Sequence, residues 1–234
     1  MANLTGRERS HYVRRMFGRI APRYDLLNRI MTGGQDVRCR REAVGGLQLA
    51  PGARILDVGA GTGDIAFEAR RRLSEGRVVA TDLTFEMMAL GRRKPGGDQL
   101  DWVLADALHL PFAEGVFDGV ISGYLLRNVP DVPAALREQH RVLDAGGRIV
   151  SLDTTPPKRN LLKPFIDLYM HRVIPLLGRL ITGDAAAYTY LPDTTASFIP
   201  ADRLAGLFRQ AGFSRVSFVR RLFGVMAIHR GHKE

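Results

Sequence analysis

The sequence predicts an α/β protein built on a doubly wound, mostly parallel sheet of seven strands, closed by a C-terminal antiparallel hairpin. Three observations predict it. Between Arg54 and Thr155 five short apolar runs alternate with segments of helical periodicity, a glycine-rich turn follows the first run, and two strand-like runs lie back to back at the end of the chain. A chain of 234 residues suits one domain with a proper core. It divides into an N-terminal helical lid over 1–50, a sheet core over 51–153, a helical insertion over 154–200, and a last helix with two strands over 201–234.

Taken in order, VRCRREAVGGLQL (37–49) reads as a helix ended by glycines, ahead of the turn APG. RILDVGA is the first strand, DIAFEARRRL a helix, RVVATDL the second strand, and TFEMMALGRRK a helix started by Thr84. LDWVLADAL and FDGVISGYLL supply the third and fourth strands. VPAALREQHRVLDAGG is a helix closed by glycines, and RIVSLDTT is the fifth strand. After Asp153 the alternation breaks: TPPKRN is a loop, and LLKPFIDLYMHRVIPLLGRLI (161–181) is apolar but interrupted by prolines and charges, as an insertion of short helices would be. RLAGLFRQAGF resumes the helices, and SRVSFVRRLFGVMAIHRGHK gives two strands joined near Leu222 to Gly224, the expected hairpin on a sheet edge.

Composition narrows the function. No run of eighteen apolar residues spans a bilayer, the N-terminus has no secretory h-region, and the single cysteine, Cys39, offers neither a disulfide nor a metal-binding spacing. A cytoplasmic location and no bound metal are the expectations. Half of the net charge of +10 lies in an N-terminal arm crowded with Arg7, Arg9, Arg14, Arg15, Arg19, Arg23 and Arg29, opposed only by Glu8 and Asp25. Such a surface suits nucleic acid, anionic lipid or an acidic substrate alike. Without zinc-finger spacing or an RNP-type aromatic pattern, nucleic acid is not expected.

The chemistry begins at ILDVGAGTGD (55–64). A glycine loop between a parallel strand and a helix suggests phosphate. Yet Gly63 is followed by Asp64 rather than Lys-Ser/Thr, and the spacing Gly59, Gly61, Gly63 is not the GxGxxG of a dinucleotide site. Asp57 before the loop and Asp64 after it suit a cationic ligand instead. Asp82, with Leu83, ends the second strand about twenty residues on, where an acid often binds a ribose diol. Asp106, with Ala107, ends the third, where a carboxylate could accept from an adenine amino group. These acids are expected to line one crevice.

Together these residues resemble a class I S-adenosylmethionine-dependent methyltransferase with its Rossmann-like sheet, from about Arg54 to Asp153. The resemblance implies that Gly59, Gly61, Thr62 and Gly63 admit the methionine end of S-adenosyl-L-methionine, that Asp82 holds the ribose, and that Asp106 and Ala107 flank the adenine, with Asp57 and Gly123 beside them. Three further segments are similar to the menaquinone and ubiquinone biosynthesis C-methyltransferases: MFGRIAPRYDLLNRIMTGG (16–34), LLRNVPD (125–131), and YTYLPDTTASFIPADRLAGLFRQAGF (188–213) with GVMAIHRGHK (224–233). The resemblance implies a polyprenyl quinol acceptor, demethylmenaquinol or the methoxy-benzoquinol of ubiquinone synthesis, with a homodimer and peripheral membrane contact as further expectations. The alternatives are a methyltransferase for another small lipid-like acceptor and a non-catalytic, cofactor-binding scaffold of a quinone-synthesis complex.

Methylating a quinol carbon requires anionic charge to develop on a ring oxygen. Arg127 and Asn128, just past the fourth strand, are expected to donate hydrogen bonds to it, and Tyr24 and Asp25 in the lid to orient the quinol or relay its proton. Arg127 itself stays protonated and is no direct base. His140 and His171 are alternative bases. The segment from Leu161 to Ile181 is expected to enclose the prenyl tail or meet lipid. The chain departs from the family's usual Phe-Gly-Leu-Arg-Asn-Val-Thr-Asp at Tyr124 to Asp131, with Leu125 in place of glycine. It departs again at Gly123, at Cys39, and at Gln35-Asp36.

Overall fold

The computed structural model describes residues 6–156, 163–177 and 194–234. The sheet is built from β1 (Arg54–Val58), β2 (Arg77–Asp82), β3 (Asp101–Leu104), β4 (Phe117–Gly123), β5 (Leu143–Thr154), β6 (Ser214–Arg221) and β7 (Met226–His232), in the order β3-β2-β1-β4-β5-β7-β6. β1 to β5 pair in parallel, and β7 runs antiparallel between β5 and β6. The expected seven strands and C-terminal hairpin are therefore present, with the second hairpin strand inserted against β5 and the first left at the edge. The strand order reverses between β1 and β4, which opens a crevice outside their carboxyl ends.

The helices are α1 (Gly6–Thr32), α2 (Gln35–Gly46), α3 (Asp64–Arg72), α4 (Phe85–Arg93), α5 (Val132–Val142), α6 (Lys163–Leu168) and α7 (Ala201–Gln210). α6 runs on into a π-helical turn, Tyr169–Val173. α5 starts where Asp131 accepts the Ala134 N–H at 2.9 Å, with Pro133 in the first turn where its missing donor costs nothing. The helix does not extend to the glycines as the sequence suggests; Leu143 to Gly147 belong to β5. Parts of the expected insertion, 157–162 and 178–193, lie outside the described residues.

Strand alternation sends β1 into two cores. Ile55 joins Ala43, Val44, Ile65 and Ala69 of the α2 and α3 side. Leu56 and Val58 join Ala135, Leu136, Leu204 and Phe208 of the α5 and α7 side. Burying both faces explains why these strands read as continuous apolar runs. A third, smaller core of Met16, Ile20, Leu27, Met31 and Ile174 seats α1 against the segment after α6. Tyr169 Oη donates to Met31 O at 2.8 Å in the same place. α1 also packs on α4, so it lies across the carboxyl end of the sheet rather than beside it.

Candidate active site

The chain leaves β1 through Gly59 to Gly63 and enters α3. Gly59 and Ala60 both donate their N–H to Thr81 O at 2.8 Å, and Gly61 N–H donates to Asp82 Oδ2 at 2.8 Å. Asp82 Oδ1 accepts from Thr84 N–H at 2.7 Å, so this one carboxylate ties the glycine loop to the start of α4. Gly63 has φ +87°, and a Cβ there would stand 2.6 Å from the Trp102 ring. A Cβ on Gly59, at φ +72°, would meet Leu125 Cδ1 at 2.7 Å. Glycine is required at both positions by backbone shape and by close approach.

A narrow slot of about 110 Å³ opens beside this loop. Gly59, Gly61, Asp82, Leu83, Asp106, Ala107 and Gly123 line it. Val13, Arg14, Phe17 and Tyr24 of α1 roof it, while Tyr124, Leu125 and Asn128 close its inner end. Asp106 Oδ1 accepts from Leu108 N–H at 2.9 Å, which holds its carboxylate at the rim.

Three of the residues expected here do not line the slot. Asp57 shares the strand face of Ile55 and is fully buried on the α3 side, facing the Ala66 N–H of that helix. Burial pushes its pKa up to about 8. Gly63 serves the turn. Thr62 faces away: its Oγ1 donates to Asp25 Oδ1 at 2.7 Å and accepts from Lys94 Nζ at 3.0 Å.

That contact belongs to a polar latch, which engages Asp25 with Thr62 and Lys94; Asp25 lines neither the slot nor the apolar chamber behind it, so it does not meet the quinol as expected. Lys94 Nζ donates to Asp25 Oδ2 at 2.7 Å and to Asp64 Oδ1 at 2.9 Å, and Arg40 pairs with Asp64 Oδ2. Burial favours the neutral Asp64 carboxyl, but Arg40 and Lys94 outweigh it and hold its pKa below the usual carboxylate range. The latch fastens α1 (Asp25) and α2 (Arg40) to the glycine loop and to the end of α4. Lys94 looks in sequence like an ordinary basic residue ending a helix, and its partners lie 30 and 69 positions away.

Behind the slot lies a larger, mainly apolar chamber of about 480 Å³. Met31, Ile166, Ile174 and Met226 are among its apolar walls, and Phe165 and Phe223, 71% and 74% exposed, stand at its edge. Tyr24 and Tyr124 line both cavities and form the partition between them. Burial pushes both phenols up, against the pull of Arg40. Tyr124 sits in the left-handed region at φ +58°, with the Arg40 and Arg127 guanidinium carbons 5.8 and 5.9 Å from its ring centre.

Arg127 lines the chamber and is 5% exposed. Its Nε stands 3.2 Å from Asp153 Oδ1, its own N–H donates to Asp153 Oδ2 at 3.2 Å, and Nη1 donates to Thr194 Oγ1 at 3.2 Å. Burial raises the Asp153 pKa to about 6 even beside Arg127. Asn128 lines the slot instead, and its Nδ2 donates to Tyr124 O at 2.7 Å, which braces the turn. The structure thus brings Tyr24 and Arg127 to one chamber and gives Asn128 a turn-holding contact. His140 is remote from both cavities, packed edge-on to Phe213 at 4.9 Å, and His171 is exposed.

The sequence profile of the ubiE/COQ5 methyltransferase family matches residues 5–233. The chain belongs to this family. Relatives include the ubiquinone/menaquinone biosynthesis C-methyltransferase UbiE of Desulfotalea psychrophila, 45% identical over 94% of this chain and 90% of the relative. The demethylmenaquinone methyltransferase of Thermus thermophilus is 43% identical over 93% of this chain and all of the relative. Among solved structures, the [4+2]-cyclase SpnF superposes with a TM-score of 0.67 at 19% identity, each chain covered to 94%. A Thermotoga maritima S-adenosylmethionine-dependent methyltransferase superposes with a TM-score of 0.66 at 18% identity, over 94% of this chain and 99% of that one. These two likenesses concern the fold.

The cofactor of this ubiE/COQ5 methyltransferase is S-adenosylmethionine. The residues present fit it. Asp82 and Asp106 line the slot with carboxyl groups, poorly suited to a pyrophosphate and suited to accept hydrogen bonds from a ribose diol and an amino group.

Proposed function

We propose that this chain methylates a ring carbon of a polyprenyl quinol, with demethylmenaquinol as the preferred acceptor and the methoxy-benzoquinol of ubiquinone synthesis as the counterpart. The observation that carries the reading is the pair of adjoining cavities: a slot walled by acids and an apolar chamber, sharing Tyr24 and Tyr124 as their partition. A flat aromatic acceptor in the chamber would meet the slot across those two rings. The name of the Thermus thermophilus relative, demethylmenaquinone methyltransferase, supports the naphthoquinol, while that of the Desulfotalea psychrophila relative names both quinones.

In this reading Asp82 accepts the ribose hydroxyls on the lone pairs its two backbone contacts leave, and Asp106 and Ala107 flank the adenine. The bound cofactor supplies an electrophilic methyl group. Arg127, held rigid by Asp153 and Thr194, lends its positive charge to the oxygen where anion develops, and the buried setting magnifies that charge because little water screens it. Tyr24 orients the quinol at the partition. The domain of 1–234 acts as one unit, with α1 as a lid over the slot.

The acceptor's prenyl tail calls for an apolar exit. Phe165, Leu168, Leu176 and Phe223 are 57–74% exposed, and Arg172 and His171 are exposed on the same segment. Aromatic and aliphatic side chains beside basic ones suit the boundary of an anionic bilayer, so this edge is read as a peripheral membrane contact through which the tail enters. No helix among the described residues is long and apolar enough to cross a membrane.

The test is methyl transfer from labelled S-adenosylmethionine to reduced demethylmenaquinol and to the reduced benzoquinol, side by side, with the oxidised quinones as controls. Labelled naphthoquinol is the expected product. Cofactor binding without transfer to either quinol, but with transfer to another lipid-like acceptor, would replace the reading; binding with no transfer to anything would favour a scaffold.

A further inference from the structure

Asp36 stands at the start of α2, lines the apolar chamber and is 1% exposed. Its Oδ1 accepts from Thr32 Oγ1 at 3.0 Å. Its Oδ2 is buried with no hydrogen-bond partner; Arg40 Nη1 is 3.5 Å away, and Arg40 makes its closer contact with Asp64. Buried carboxylate oxygens almost always receive a donor, because leaving one unmade forfeits its hydration without return. A chamber-lining acid with an unmet oxygen therefore calls for a donor on the chamber's occupant. The neighbouring charged and titratable groups are Arg40 and Cys39 on α2, Tyr24 on α1, and Tyr124 and Arg127 on the turn after β4.

We infer that Asp36 accepts the proton of an acceptor hydroxyl, acting as the general base that Arg127 is too basic to be. The inference rests on the reading that the acceptor is a quinol. As the O–H bond breaks, the proton passes to Asp36 Oδ2 and the electron pair stays on the ring oxygen. The ortho carbon then forms its bond to the methyl carbon while the sulfur–methyl bond breaks and sulfur keeps that pair. The hydrogen on the methylated carbon leaves as a proton to water, its bonding pair restores the aromatic ring, and the ring oxygen recovers the proton from Asp36. One proton is released per turnover. Arg40, shared between Asp36 and Asp64, would couple this acid to the latch that closes α1.

Two aromatic probes separate Asp36 from the identity of the acceptor. Calorimetry of 1-naphthol and of 1-methoxynaphthalene, each titrated into the full chain saturated with S-adenosylhomocysteine, compares a hydroxyl donor with its blocked form. The wild type is expected to prefer naphthol about tenfold. In Asp36→Ala that preference disappears while the affinity for methoxynaphthalene holds, which also reports that the chamber is folded. Equal preference in both proteins would overturn the inference. With demethylmenaquinol as substrate, Asp36→Asn should lower kcat about 100-fold and Asp36→Glu should recover part of it, as expected for a lost proton acceptor. A kcat within threefold of wild type in Asp36→Asn would also overturn it. If the wild type left every quinol unmethylated yet kept an Asp36-dependent preference for naphthol, the quinol reading would fall and the role of Asp36 would stand.

Discussion

Replacing Lys94 by methionine should loosen the roof of the cofactor slot. Lys94 Nζ makes three contacts, to Asp25, Asp64 and Thr62, at 2.7, 2.9 and 3.0 Å, and those to Asp25 and Thr62 join α1 to the glycine loop. The Lys94, Asp25 and Asp64 side chains are 29%, 24% and 19% exposed, between a surface pair and a buried one. Exposed ion pairs contribute about 0.2–1 kcal/mol and hydrogen bonds to charged groups about 1.5–3 kcal/mol, so about 1 kcal/mol for each carboxylate contact is a fair estimate. Only the Asp25 contact holds α1 itself, and losing about 1 kcal/mol there corresponds to roughly a fivefold rise in the open population of α1. Stopped-flow displacement of S-adenosylhomocysteine should then show dissociation about fivefold faster, with faster hydrogen exchange over residues 11–32. Raising the salt concentration should produce part of the effect in wild type. Asp25→Asn should speed release too, and adding it to Lys94→Met should change little, since both act on one contact. Dissociation within twofold of wild type in Lys94→Met would refute the latch.

Other consequences follow from single contacts. Arg127→Ala leaves Asp153 buried without its cation, which should cost about 3–5 kcal/mol and lower Tm by about 10 °C in thermal melts; Arg127→Ala with Asp153→Asn should regain much of that stability and none of the turnover. Asp82→Ala removes an acceptor for Gly61 and Thr84 as well as the ribose contact, and calorimetry should show cofactor affinity falling about 10- to 100-fold, whereas unchanged affinity would contradict the placement. His229 Nε2 donates to Ala201 O at 2.8 Å, and burial lowers its pKa to about 4. Its unfolded value near 6.5 is higher, so the unfolded chain binds the extra proton. This residue's stabilising contribution is therefore fully present above about pH 6.5 and is lost as pH falls through about 4, a swing of about 3 kcal/mol. Denaturant titrations of His229→Gln should show a flatter dependence between pH 4 and 6.5 than wild type.

The strands were legible because burial on both faces leaves continuous apolar runs, and the glycine loop because its spacing and acids exclude phosphate. The end of α5 was not: Gly146 and Gly147 read as a helix stop, but Leu143 packs in the core and the chain is already in β5. Asp57 could have been placed by alternation, since it shares a face with Ile55 and so points to the α3 side, away from the crevice. Thr62 could not, because its partner Asp25 lies 37 residues earlier, on a helix whose position depends on packing. The chamber was equally hidden. Its lining comes from α1, α2, the turn after β4, the segment at α6 and the β6–β7 turn, so no local pattern contains it. Asp36 stands out in sequence only as a departure from the family's usual residues, and its setting beside the chamber emerges once α2 is laid against the sheet.

The most direct test is a crystal structure of the chain with S-adenosylhomocysteine and a short-tailed demethylmenaquinone reduced in the crystal. The nucleoside should occupy the slot between Asp82 and Asp106, and the quinol ring the chamber, meeting the cofactor at Tyr24 and Tyr124 with Arg127 and Asp36 on its oxygens. A quinol bound elsewhere, with the chamber filled by the protein's own side chains when the cofactor is in place, would contradict the two-cavity design on which the proposed chemistry depends.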